Sequence, residues 1–196
     1  MSTFSIDEFQ ATTEKLLLDV RAELPAINIR VARTGLSLLR NRIINDGQNS
    51  KGESLGSYST NPLPAYFYEG KGISAGADEK LKKSQKKGKE GVSYKDWREF
   101  NGLQTNHIDL KFSGDMWRDI DVISNESSAH GVVTIVGAKN SITRKSGKSS
   151  LKTDDLMEFN SDRYGDIMAI SQEEENELAM ALDAELQFMF DQAFGE

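Results

Sequence analysis

One four-residue spacing, a serine followed three positions later by a glutamate, opens an apolar stripe near each end of the chain. Ser5 precedes Glu8 in this way, and Ser171 precedes Glu174. The hydroxyl can accept an amide proton inside the first turn while the carboxylate accepts that of the cap residue, so two orphan donors are satisfied at a helix start. Ile6, Phe9, Leu16, Leu17, Val20 and Leu24 then recur at near-helical spacing after the first pair. Leu178, Leu182, Leu186, Met189 and Phe190 do so after the second. Glu173, Glu174 and Glu175 also suit the positive end of a helix dipole. Helices are therefore expected to bracket whatever lies between.

Pro25 removes a backbone donor, so it either begins a second helix or kinks a continuous one. Ile27, Val31, Leu38, Leu39 and Ile43 continue the apolar face, and Asn45-Asp46-Gly47 supplies a stop. From Gln48 to Lys95 the texture changes to Gly, Ser, Asn and Lys with embedded aromatics, which predicts a long extended excursion. A solvated tether gains nothing from Tyr58, Tyr66, Phe67 and Tyr68, so these aromatics are expected to dock, on a neighbouring subunit for instance. His107 to Phe112 alternates as a strand would, with Ile108, Leu110 and Phe112 on one face. A turn or short helix capped near Ser113 follows, with Gly114 a candidate for a positive-φ bend. Two strands are expected around Val122 and over Val132 to Val136, and then a basic surface hairpin or loop from Lys139 to Lys152. The resulting fold class is α+β. It comprises a small antiparallel sheet flanked by an N-terminal helix or helix pair and a C-terminal helix, with a long excursion. The organisation is a single domain over 1–196, with 48–95 as the loop or arm.

The chain has 196 residues and no cysteine, so it has enough length for a core but no thiolate chemistry or disulfides. Two histidines, His107 and His130, are too few for a histidine-rich metal centre. No metal and no cofactor are expected. No targeting signal or apolar run of spanning length is apparent, so a soluble chain with no membrane partner is expected. The formal net charge of -7 conceals segregation of sign. Lys71 to Arg98 holds nine basic and four acidic residues, whereas Lys152 to Glu196 holds two basic and thirteen acidic. Such polarity suits head-to-tail assembly at least as well as binding to a polyanion.

Lys80, Lys82, Lys83, Lys86, Lys87 and Lys89 form a basic contact surface that would add salt-sensitive attraction to phosphates. Tyr66, Phe67, Tyr68, Tyr94 and Trp97 lie close enough in sequence to suggest base stacking. No recognition helix or arginine-aromatic groove motif accompanies them, and the ordinary reading is an assembly or solvated loop. Gly147-Lys148-Ser149 matches only the last fragment of a phosphate-binding loop, because Gly137 is too distant to complete the motif. Asp109, Asp115, Asp119 and Asp121 around His107 resemble a carboxylate cluster. On a strand, however, His107, Asp109 and Lys111 would share the polar face opposite the apolar triplet, so no catalytic residue is assigned. Trp117 is expected as a core or interface anchor, with Arg118 beside it to meet a carboxylate. The candidate oligomer or partner interface is Tyr66, Phe67, Tyr68, Trp97, Trp117 and Arg118.

Leu110 to Ile120, LKFSGDMWRDI, resembles the strand, Ser/Thr-Gly-Asp/Glu turn and short helix of tail-completion or neck proteins of tailed bacteriophages. Asp162 to Leu186 is similar to the segment of phage virion-morphogenesis proteins in which a polar approach and a serine-capped acidic turn enter the C-terminal helix. An N-terminal helix ending near Arg42 to Gly47 completes the same order of elements. The resemblance implies a non-enzymatic virion protein of the head-to-tail connection, forming a homo-oligomeric ring at the neck or upper tail after assembly in the host cytoplasm. It implies copies of itself, portal or connector proteins and tail proteins as partners. The segment Gly72 to Trp97 is longer than such families usually carry. The alternative expectation is a DNA-binding or packaging accessory that contacts the phosphate backbone non-specifically.

Overall fold

The computed structural model describes residues 5–74, 76–86, 91–111, 113–128, 131–139, 144–146 and 149–195. Both capping boxes form: the Ser5 amide donates to Glu8 Oε2 (2.9 Å), and the Ser171 amide to Glu174 Oε2 (2.7 Å). The first opens α1 (Ile6–Asn41), a single helix with Pro25 inside it, which decides between the two expected readings. A π turn, Arg42–Asp46, ends it at Gly47, whose φ of 63° is left-handed. A Cβ on Gly47 would come within 2.5 Å of the His107 ring, so this position has no room for a side chain.

The excursion leaves the helix and folds rather than trailing. It contains β1 (Pro62–Leu63), a 3₁₀ turn at Ala65–Phe67, α2 (Ala77–Lys86), β2 (Val92–Ser93) and α3 (Tyr94–Phe100). β1 and β2 pair antiparallel, and Ser93 with Asp96 makes a third capping box at the start of α3. Ala65, Tyr68, Ala77, Leu81, Val92 and Trp97 close a small hydrophobic cluster here.

The short α4 (Asp115–Asp119) starts from Gly114 at φ 81° and leads into β3 (Ile120–Ser128), which pairs antiparallel with β4 (Gly131–Ala138). A register shift between Val122 and Ser124 bulges β3. The basic segment then forms the hairpin β5 (Arg144–Ser146) and β6 (Ser149–Leu151). Two helices finish the chain, α5 (Thr153–Tyr164) and α6 (Gln172–Phe194). The expected α+β class with flanking helices is what forms, and its sheets are all two-stranded among the described residues.

The larger core lies where the second half of α1 meets the β3–β4 ribbon, α4, α5 and the loops around Leu55, Tyr58, Ile108 and Ile167. Polar side chains register the helix on the ribbon. Asn28 Nδ2 donates to Thr134 Oγ1 (2.8 Å), Thr134 donates to Asn125 Oδ1 (2.7 Å), and Asn125 Nδ2 donates to the Pro25 carbonyl (3.0 Å). α6 runs antiparallel along α1, from Leu178 beside Gly35 to Phe194, whose ring lies 5.6 Å from that of Phe9.

Candidate assembly surfaces

Residues 107–111 do not form the expected strand. Leu110 takes a φ of 51°, which breaks the extended run, and Asp109 is 3% exposed instead of facing solvent or a partner. The cause is Arg98 of α3. Its Nη2 donates to Asp109 Oδ1 (3.0 Å) and Oδ2 (2.9 Å), its Nε to the Gln104 carbonyl (3.0 Å) and its Nη1 to the Lys111 carbonyl (2.7 Å). Tyr58 donates to Asp109 Oδ1 (2.6 Å), and the Arg98 guanidinium lies 4.1 Å from the centre of the Tyr58 ring. Burial, followed by the hydrogen bond to Asp109, pushes the Tyr58 hydroxyl well above its ordinary range. The cluster clamps the small lobe to the larger core beside a cavity of about 220 Å³ lined by Tyr94, Leu110, Asn160 and Tyr164.

A second buried pair fixes the other end of the molecule. Arg42 Nε donates to Glu174 Oε1 (2.9 Å) and its Nη2 to the Ala169 carbonyl (2.8 Å), so the carboxylate that caps α6 also anchors the π turn. Neither pair was anticipated from sequence. Arg42 and Arg98 carry no local mark of burial, although the Ser-x-x-Asp spacing at Ser93 would have signalled α3.

The expected interface residues separate into two groups. Tyr68 and Trp97 stack at 5.3 Å and are buried in the small lobe, so their docking partner is this chain itself. Trp117 is buried in the larger core. Tyr66 and Phe67, stacked on each other at 4.7 Å, lie exposed, as does Arg118, which pairs with Asp115. Among the lysines, Lys82 and Lys83 stand exposed on α2, while Lys80 donates to the Phe100 carbonyl (3.3 Å). Lys86 is the last residue of α2, and Lys87 and Lys89 lie outside the described residues. Asp115, Asp119 and Asp121 do not gather around His107: Asp121 accepts from the Val122 amide and faces Lys139. That amide bond, followed by Lys139, Arg33 and Arg40, holds the Asp121 carboxyl below its usual range.

Large apolar side chains remain exposed on several elements. The buried residues of α1 all lie in its second half, whereas Ile6 (86% exposed), Phe9, Leu17 and Leu18 project from the first. Met180 (71% exposed), Phe188 and Phe190 project from α6, and the two helices leave an open groove of about 450 Å³ between Leu16 and Met189. On the ribbon, Ile123, Val133 and Ile135 face outward. Exposed apolar side chains are thus present on both long helices and on the ribbon. Among the described residues no group of three or more metal-ligating side chains occurs, and no helix is long and apolar enough to cross a membrane. No family model, curated protein or solved structure matches the chain.

Proposed function

We propose that the chain is a structural virion protein of the tailed-phage head-to-tail connection, joining copies of itself into a ring at the neck or the upper end of the tail. The observation that carries this reading is the set of apolar side chains uncovered on the α1–α6 pair and on the β3–β4 ribbon. A monomer gains nothing by holding Ile6, Met180 and Val133 in water, whereas a neighbouring copy converts the same surface into buried interface. The resemblance of Leu110 to Ile120 and of Asp162 to Leu186 to neck and virion-morphogenesis proteins supports the same role through the Gly114 turn with its short helix and the serine-capped start of α6, although the strand expected before Gly114 does not form. The role is mechanical: portal or connector proteins bind on one side, and tail proteins on the other.

Sedimentation of the purified chain and electron microscopy of virions test the reading together. The expected result is concentration-dependent closure into a ring and density for the chain at the neck or upper tail. A chain that stays monomeric at every concentration, or a neck that lacks it, overturns the assignment. A second reading, a DNA-packaging accessory, draws on the exposed Lys82 and Lys83. It requires duplex binding that weakens steeply with salt.

A further inference from the structure

The end of the α1–α6 pair that holds Phe9 and Phe194 has no core of its own. No residue from 5 to 26 or from 175 to 195 is buried, whereas Ile27, Leu36 and Leu39 further along α1 are. Leu16, Leu17 and Leu18 are consecutive, so at about 100° per residue they span more of the helix surface than one neighbouring helix covers. Leu16 lines the groove beside α6, while Leu17 and Leu18 stay exposed. At the tip the apolar surface is continuous. The Phe194 ring lies 5.6 Å from that of Phe9 and 4.6 Å from that of Phe190, and Phe9 and Phe190 are both exposed. Acidic side chains edge this cluster: residues 5–14 and 187–195 hold Asp7, Glu8, Glu14 and Asp191 and no basic residue. Glu14 and Asp191 accept from the amides of Gln10 and Gln187, which leave their charge in place.

Two such tips meeting each other would set carboxylates against carboxylates, which disfavours that contact. The small lobe carries the complementary chemistry. Tyr66 and Phe67 stack at 4.7 Å with both rings exposed, and Leu63 and Ile73 are exposed as well. Lys71 stands in solvent, as do Lys82 and Lys83 of α2. Glu69, Gly70, Asp78, Leu81 and Lys82 line one hollow of about 210 Å³, which brings α2 beside the turn that follows the two rings. Glu69 and Asp78 do not reverse the sign of this segment, since Lys71 to Arg98 holds nine basic residues against four acidic.

We propose that the Phe9–Phe190–Phe194 tip of one copy docks on the small lobe of the next copy, against Tyr66 and Phe67. This rests on the ring reading and names its contact. Two different surfaces meet, so the contact repeats from copy to copy and closes a ring where the rotation allows. Apolar burial supplies the affinity, and the lysines above an acidic margin supply the direction, because exposed ion pairs add little affinity by themselves.

Sedimentation of full-chain variants tests the contact. Phe9→Ser with Phe190→Ser strips the tip, and Tyr66→Ser with Phe67→Ser strips the lobe. All four side chains are exposed, so each double variant is expected to keep the parent's circular dichroism spectrum and to associate at least tenfold more weakly. Asp7→Lys, Glu14→Lys and Asp191→Lys together reverse the tip, with Glu8 left to its cap. Lys71→Glu, Lys82→Glu and Lys83→Glu together reverse the lobe. Either reversed chain alone presents like charges on both surfaces and is expected to associate weakly at low salt. Their equimolar mixture restores opposite signs at every contact and is expected to assemble as the parent does.

Parent-like assembly of either aromatic variant overturns the proposal and leaves the ring reading intact, as does a mixture no better than its components. Oligomers that stay open, with the expected responses to all four variants, uphold the contact and remove the ring. A parent that is monomeric at every concentration overturns both.

Discussion

Asp109 is the residue at which local pattern and final position diverge most. It stands between Ile108 and Leu110 as a strand's polar residue would, yet its carboxylate is enclosed by Arg98, Tyr58 and the amide of Lys111. Removing one member leaves the other charge buried, so Arg98→Met should lower unfolding free energy by about 3–5 kcal/mol, read by chemical denaturation. Tyr58→Phe should cost about 1 kcal/mol at neutral pH through the lost hydrogen bond. The same variant changes the alkaline limb. A hydroxyl whose pKa is raised on folding contributes stability that is fully present below the unfolded value of about 10 and is lost as pH climbs through the folded value. The parent should therefore destabilise above about pH 10, and Tyr58→Phe should show a smaller decline over that window. Equal declines in the two proteins would remove Tyr58 from the account. Trp117→Ala empties a buried site and should cost about 3–5 kcal/mol.

At the scale of elements, one carboxylate serves two of them. Glu174 caps α6 and neutralises Arg42 in the π turn, so Glu174→Ala should destabilise by several-fold more than Ser171→Ala, which removes a cap alone at about 1 kcal/mol. Similar losses in thermal or chemical unfolding would show that the Arg42 contact contributes nothing beyond the cap. The 48–95 excursion is the other element-scale result. Its glycines and lysines favour an open chain, but Leu81, Val92, Tyr68 and Trp97 enclose one another tightly enough to give it a core. Hydrogen exchange on the isolated chain is accordingly expected to protect α3 amides near Trp97 before any assembly. Full exchange there in the monomer would reinstate an arm that orders only on a partner.

For the whole molecule, the consequence lies in what remains outside. The helix pair leaves Met180 and Phe188 uncovered, whereas Leu36, Leu39 and Ile43 are buried in the larger core. Met180→Asp and Phe188→Asp should therefore leave the unfolding midpoint nearly unchanged and lower the association constant at least tenfold, about 1.4 kcal/mol. Sedimentation at matched concentrations reads the effect. Variants that lose stability and association together would instead place these residues in the monomer's own packing.

Sequence determined whatever depended on neighbours a few positions apart. The capping boxes at Ser5 and Ser171, the stop at Gly47, the bend at Gly114 and the ribbon pairing Val122 with Val136 arise from short-range hydrogen bonds and from 3.6- or 2-residue periodicity. α5 escaped this reading because its polar run Thr153–Tyr164 buries only scattered side chains such as Leu156 and Met157. Tertiary structure alone decided which charges went inside. Arg98 meets Asp109 across a turn and Arg42 meets Glu174 across 132 positions, and in each case burial is tolerable only because the partner arrives from elsewhere in the chain. It likewise sent Trp97 and Tyr68 inward while leaving Tyr66 and Phe67 outside, since four aromatics of similar local character are told apart only by whether a second surface closes over them.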